Sequence, residues 1–168
     1  MSPIVLIVDD EKPTRDGLRQ ALDERFEVYV AADTREARQV LKSEPVDVLL
    51  TDLRLGADSG MDLLDEALTL PKPPVSIMMT AYGSVDTAVE AMRRGAWHFV
   101  TKPLNLEEVE LLVTRAVRGR RIESENRRLS TENRELRIVV LPLEGFLFVD
   151  GNLHPGAESA LRRLDSAG

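Results

Sequence analysis

Cysteine is absent from the 168 residues. Disulfides, thiolate nucleophiles and Cys-ligated zinc are therefore excluded, and a reducing cytoplasm is the compatible and expected location. No apolar run approaches the roughly 20 residues that span a bilayer, so no membrane association is expected. Met1-Ser2-Pro3 leads straight into a strand-like run, without the basic region and cleavage site of a secretory leader. An excess of positive charge is missing too. The net charge of −7 argues against nucleic-acid binding by the chain as a whole, because a phosphate backbone attracts cations. What is present is 43% hydrophobic residues, enough to fill a core, in a length that suits one domain with appendages.

The apolar residues are organised in alternating short runs and helical stripes. Ile4–Val8 reads as a strand buried on both faces. A helix is expected from Pro13 to about Asp23, with Leu18, Ala21 and Leu22 inward, and a second strand near Glu27–Ala31. A second helix runs from Thr34, its expected N-cap, to Lys42. The third strand follows Pro45, and a third helix opens at Ser59 or Gly60. Val75–Met79 is the fourth strand, Val85–Arg93 the fourth helix (capped by Ser84 and closed by Gly95), and Trp97–Thr101 the fifth strand. A fifth helix begins near Asn105. Five strand–helix alternations in about 118 residues imply right-handed crossovers and a doubly wound parallel α/β sheet. Ligands bind such sheets beyond the carboxyl ends of the strands, where strand order reverses.

The chemistry-bearing residues all follow strand ends. Asp9 and Asp10 end the first run, Asp52 the third, Thr80 the fourth and Lys102 the fifth. One Asp after a strand is an ordinary turn residue or cap. Five such residues at one sheet edge can hold a divalent cation and a phosphoryl group. Glu11 reads as a solvated first-turn acid suited to the helix dipole. Asp58 and Asp62 read as rim residues, Met78 and Met79 as core, Trp97 as a partly buried packing residue and His98 as a surface side chain.

Ile7-Val8-Asp9-Asp10-Glu11, Thr51-Asp52-Leu53, Met79-Thr80-Ala81 and Thr101-Lys102-Pro103 together resemble the receiver domain of bacterial two-component response regulators, over about residues 1–118. The resemblance implies a flavodoxin-like sheet of order 2-1-3-4-5. It also implies transfer of a phosphoryl group from a sensor histidine kinase to Asp52, with Mg²⁺ held by Asp9, Asp10, Asp52 and the backbone carbonyl of Arg54. A hard cation that keeps several waters suits such oxygen ligands, Lys102 would add a fixed charge, and Thr80 a hydrogen bond. By the same resemblance Thr80 and Phe99 form a switch pair that reshapes the face made by helix 4, strand 5 and helix 5, through which a homodimer would form. Phe99 as a plain core residue is the competing reading. Arg54 and Tyr82, two residues beyond Asp52 and Thr80, would flank the path of the hydrolysing water. Both are bulky, so slow self-dephosphorylation is expected.

Beyond Val109, Leu112, Val113, Ala116 and Val117, which form the stripe of the fifth helix, the period changes after Gly119. Ile122, Leu129 and Leu136 recur every seven residues, with Asn126 and Asn133 each three residues before a Leu. Leu at d with Asn at a is the pattern of a parallel two-stranded coiled coil. A stretch this short is marginal alone. Residues 115–137 carry eight Arg against four Glu, read as a solvated coil flank rather than a nucleic-acid arm. Gly119 is a candidate hinge. The expected domains are thus a receiver (1–118), a coiled-coil linker (119–137) and a short tail (138–168).

The arrangement resembles the nitrogen-regulatory (NtrC-type) class, whose members continue into an AAA+ ATPase acting with sigma-54 RNA polymerase and a DNA-binding domain. This points to transcription regulation. No phosphate-loop motif is present, and no direct DNA binding is expected. The tail reads as a strand (Ile138–Leu141), a hairpin at Asp150-Gly151 and a helix (about Ala157–Leu164), an accessory element or a following domain cut short. Phe148-Val149-Asp150-Gly151-Asn152 resembles the phosphatase loop of haloacid dehalogenase-type enzymes, but Phe148 stands where the nucleophilic Asp belongs. The chain is thus expected to be a phosphorylation switch and not a turnover enzyme. A Mg²⁺-dependent phosphatase of the haloacid dehalogenase type and a purely structural dimerisation module are the alternatives.

Overall fold

The computed structural model describes residues 2–81, 85–135, 139–140, 147–149 and 152–153. The chain divides into two compact units, residues 1–121 and 122–168.

In the first unit, β1 (Ile4–Val8), β2 (Glu27–Ala31) and β3 (Val48–Asp52) alternate with α1 (Lys12–Leu22) and α2 (Thr34–Ser43). A short antiparallel hairpin follows, β4 (Arg54–Leu55) with β5 (Asp58–Ser59), and then α3 (Gly60–Leu68). β6 (Val75–Thr80), α4 (Val85–Arg94), β7 (His98–Thr101) and α5 (Leu106–Glu135) complete the series. The five long strands form one parallel sheet in the order β2-β1-β3-β6-β7. This is the expected 2-1-3-4-5 order once the hairpin is set aside.

The apolar runs lack alternation because both sheet faces are covered. Val5, Ile7, Val48, Leu50, Ile77 and Met79 face one core with Leu18 and Leu22 of α1 and the α5 stripe Val109, Leu112, Val113, Ala116 and Val117. Ile4, Leu6, Val8 and Leu49 face the other with Ala37, Leu63 and Ala67 of α2 and α3. Met78 and half-buried Phe99 pack with Met61, Leu64 and Ala91 under α3 and α4. Each strand thus divides its side chains between two layers, and its carboxyl end is left to carry the polar residues.

Several local expectations change. The N-cap of α2 is Asp33, which accepts from Glu36 N at 2.8 Å. Thr34 is instead a buried first-turn residue whose hydroxyl donates to Asp58 Oδ2 at 2.6 Å. Its neighbour carries the capping carboxylate, so Thr34 is free to tie α2 to the hairpin. Asp58 is therefore a structural partner rather than an idle rim acid. Trp97 is 42% exposed, His98 is half-buried against its ring, with centroids 5.8 Å apart, and Gly119 lies within continuous helix. Asn105 opens α5 by accepting from Glu107 N and Glu108 N at 3.1 and 3.3 Å.

In the second unit, β8 (Val139–Val140), β9 (Leu147–Val149) and β10 (Asn152–Leu153) form an antiparallel sheet of order β10-β9-β8. Val149 pairs with Asn152, which brackets the expected hairpin at Asp150-Gly151. The expected cap Ser84, Tyr82, Leu136 and the helix near Ala157–Leu164 lie outside the described residues.

Candidate functional site

The strand order reverses around β1, which has β2 on one side and β3 on the other. Polar side chains collect at the carboxyl ends of β1, β3, β6 and β7. Asp9 follows β1 and extends its ladder by one bond, Asp9 N donating to Ala31 O at 3.2 Å. Its side chain is fully buried. Oδ1 accepts from Glu11 N at 2.9 Å, which shapes the turn into α1, and Arg15 Nη1 donates to Asp9 O at 2.6 Å. Asp10, the next residue, is exposed. Asp52 ends β3 at 6% exposure, and its Oδ1 accepts from Arg54 N at 3.0 Å. Asp9, Asp10 and Asp52 each offer a carboxylate oxygen within 4.8 Å of the others.

Lys102 is the counter-charge. Its main-chain N–H donates to Thr80 O at 2.7 Å, which ties the end of β7 to that of β6, and its bond to Pro103 is cis. Nζ lies 2.5 Å from Asp52 Oδ2, 2.8 Å from Asp9 Oδ2 and 3.3 Å from Glu11 Oε2. The contact to Asp52 is a hydrogen bond. The contact to Asp9 is an ion pair, and Asp9 Oδ2 is a buried oxygen without a hydrogen-bond donor. Burial pushes the Asp9 carboxyl above 3.8, and Lys102 and the Glu11 N–H reverse this only in part. Burial pulls the Lys102 ammonium down, but its hydrogen bond to Asp52, its close contact with Asp9 and the charges of both outweigh this and raise it above 10.5. The site thus holds a permanent cation among more carboxylates than it can neutralise. An all-oxygen donor set with one orphaned buried oxygen suits a hard divalent cation.

A model of the response regulator receiver domain matches residues 5–114. The chain belongs to this family. Among the receiver's relatives, the response regulator protein PilR of Pseudomonas aeruginosa is 43% identical over 122 residues, 71% of this chain and 27% of that protein. The regulatory protein AtoC of Escherichia coli is 38% identical over 126 residues, 74% and 27% of the two chains. The chain thus spans about a quarter of the length of these curated relatives (27% in each). Among solved structures, a CheY-like receiver domain protein from Methanospirillum hungatei is 28% identical with a TM-score of 0.69, over 73% of this chain and 99% of that one. The beryllofluoride-activated NtrC4 receiver domain dimer is 31% identical with a TM-score of 0.66, over 70% and 98%.

Of the residues singled out in the receiver's sequence, Asp9, Asp10, Asp52 and Lys102 converge. Thr80 is buried at the end of β6, in register with Thr101, the residue before Lys102. Arg54 starts the hairpin that follows Asp52, and Phe99 packs near α4, one strand over. Ile122 and Leu129 lie on α5, 62% and 46% exposed. Asn126 is an exposed helical residue and Asn133 lies in the same helix.

Glu11 is more than a solvated acid. Its side chain is exposed, yet it meets Lys102 and accepts from Thr14 Oγ1 at 3.0 Å. The Thr14 hydrogen bond, and then Lys102, hold its carboxyl below 4.5. Gly60 also matters to the receiver's site. A Cβ there would lie 1.9 Å from Asp52 O and 3.2 Å from Leu53 Cα, while Gly60 N donates to Leu53 O at 2.9 Å. The first turn of α3 is therefore seated directly on the peptide that carries Asp52. The pair Ser59-Gly60 signals a helix start in sequence, but nothing there shows what the helix start touches.

Proposed function

We propose that the receiver accepts one phosphoryl group on Asp52 from a sensor histidine kinase, and that phosphorylation switches a dimeric output state. The observation that carries this reading is the position of Lys102 Nζ between Asp52 Oδ2 and Asp9 Oδ2 (2.5 and 2.8 Å), beside the exposed carboxylate of Asp10. A nucleophilic carboxylate with a fixed neighbouring cation meets an anionic phosphoryl group with less repulsion than a free one would. An Asp52 oxygen attacks the phosphorus of a phosphohistidine, the P–O bond forms as the P–N bond breaks, and the imidazole leaves with the electron pair and takes up a proton. Lys102 then turns from the carboxylate to the phosphoryl oxygens, and the Thr80 hydroxyl donates to one of them. Asp9, Asp10, Asp52 and the Arg54 carbonyl would hold Mg²⁺, which when bound adds positive charge shared by acceptor and phosphoryl oxygens. The protein's part is to position and to neutralise.

The dimer reading is supported by apolar side chains left outside. Val89 and Met92 on α4, Trp97 before β7, and Leu106 and Leu111 on α5 are each more than 40% exposed. Such a surface suits a second copy, and exposed Ile122 and Leu129 suit a continuing coil. A receiver (1–118), linker (119–137) and tail (138–168) of an NtrC-type transcription regulator is the arrangement we favour. Labelled acetyl phosphate with Mg²⁺ should place one phosphoryl group on the wild type and none on Asp52→Asn. Equal labelling of the two would defeat the proposal.

A further inference from the structure

The far end of the sheet, opposite the carboxylates, carries a second arrangement of charge. Arg120 lies on α5 directly after Gly119, with its side chain only 18% exposed. Its guanidinium reaches across to the segments that enter β3 and β6. Nη1 donates to Val46 O at 2.7 Å and to Asp47 O at 2.8 Å, and Nη2 donates to Lys72 O at 3.4 Å. Nε lies 3.6 Å from Asp47 Oδ1. Asp47 is itself a junction. Its Oδ2 accepts from Ile4 N at 2.9 Å, its N–H donates to Ile4 O at 2.8 Å, and its O accepts from Val75 N at 2.9 Å. Arg120 therefore grips the point where β1, β3 and β6 begin.

The neighbouring residue explains why a grip is needed there. Gly is the poorest helix former after Pro, and Gly119 has no atom within 4 Å of where a Cβ would lie. No tight packing thus demands a glycine at this point in α5. The stripe that holds the helix to the sheet ends at Val117. Past it, Arg120 ties α5 to the base of the sheet. A planar fork with several fixed donors is suited to this, and an ammonium is not.

We propose that Gly119 and Arg120 form a hinge with a clasp. The glycine lets the helix open, and Arg120 holds it closed on the base of the strands whose other ends carry Asp52 and Thr80. With the clasp made, the helical turn at Gly119 and Arg120 is fixed to the base of the sheet. With it broken, that turn is free to open. The clasp itself is independent of what Asp52 does. Its part in signalling rests on the phosphoacceptor reading above.

Hydrogen exchange of the full chain separates the two. In Arg120→Gln, amides of residues 119–124 should exchange roughly tenfold faster or more, as loss of two charge-assisted hydrogen bonds implies, while amides of residues 109–117 keep their rates. Arg120→Lys should fall closer to Gln than to wild type. Gly119→Ala in the Arg120→Gln background should restore protection, since the helix then resists opening without the clasp. Unchanged exchange after Gly119 in Arg120→Gln, or no recovery with Gly119→Ala, would overturn the clasp. In a second arm, Mg²⁺ and beryllofluoride should alter exchange both near Asp52 and beyond Gly119 in wild type, but only near Asp52 in Arg120→Gln. An equal response beyond Gly119 in both would overturn the coupling. Silence near Asp52 in wild type would instead defeat the phosphoacceptor reading, and the first arm would still decide the clasp.

Discussion

Replacing Asp9 by Asn should make the protein more stable when no divalent cation is present. The Asp9 carboxylate has no exposure to water, and one of its oxygens has no hydrogen-bond donor. The Asp52 carboxylate offers an oxygen within 4.8 Å, and at an effective dielectric constant near 20 such a repulsion is worth roughly 3 to 4 kcal/mol. The ion pair with Lys102 at 2.8 Å returns about 6 kcal/mol on the same scale. The attraction exceeds this repulsion, but the desolvation of a buried anion is the largest influence on Asp9 and outweighs the difference. An Asn keeps the acceptor for Glu11 N, and Lys102 keeps Asp52 and Glu11. The expected gain is about 1–2 kcal/mol in EDTA, the size of a small difference between large electrostatic contributions. Urea unfolding with and without Mg²⁺ reads both halves of the argument. In wild type, Mg²⁺ at about a hundred times its Kd should add roughly 2.7 kcal/mol, and in Asp9→Asn most of that should vanish. An apo Asp9→Asn that is less stable than wild type by more than about 1 kcal/mol, or one that keeps the full Mg²⁺ stabilisation, would refute the reasoning.

Three other perturbations test neighbouring parts of the argument. Gly60→Ala forces a methyl group against the Asp52 peptide and should destabilise by about 1–3 kcal/mol. It should also slow labelling by acetyl phosphate more than Ser59→Ala, which removes only the α3 cap bond to Met61 N; similar labelling rates in folded Gly60→Ala and Ser59→Ala would separate the helix seat from the site. Glu66 receives both arms of Arg38 at 2.7 Å, which holds its carboxyl below 4.5. Its contribution to stability is therefore present above pH 4.5 and lost as pH falls through the folded value. Wild type should exceed Glu66→Gln by up to about 1 kcal/mol at neutral pH, the exposure of the pair limiting the gain, and a pH series of melts should show the gap closing in acid. Replacing Arg54 and Tyr82 together by small residues should speed loss of label from Asp52, followed by acid-stable counting after removal of the donor, and an unchanged decay would remove both side chains from the water path.

The fold and most of the site were legible for one reason. Short parallel strands buried on both faces have to be written as unbroken apolar runs, so the residues that interrupt them at their carboxyl ends are conspicuous. Asp9, Asp52, Thr80 and Lys102 are visible because each stops such a run, and parallel pairing then brings their ends together whatever their separation in sequence. The signal fails where a residue's importance comes from what crosses its path. Thr34 looks like a cap, but Asp33 beside it has the better acceptor, and the Thr hydroxyl is used 24 residues away on Asp58. Glu11 looks like a helix-dipole acid, and its partner Lys102 is 91 residues distant. Gly60 looks like a permissive helix start until α3 is laid on the Asp52 peptide.

Arg120 shows the limit most clearly. In sequence it is one of eight Arg in a basic stretch, and the same composition describes a solvated coil flank. Its partners are main-chain carbonyls 73 and 74 residues earlier, and carbonyls have no residue identity for a motif to record. Arg127, seven residues on, shares the charge and the helix but is exposed, with Glu123 four residues back at 4.0 Å. Arg120 lies directly after the last buried turn of α5, which ends at Val117. Within about one turn of Val117 an Arg side chain can reach the sheet base, as Arg120 does. Moving the arginine from position 120 to position 124 should therefore leave composition and net charge unchanged and still release the helix after Gly119, as read by hydrogen exchange. Retained protection in that variant would mean that charge, not reach, holds the helix.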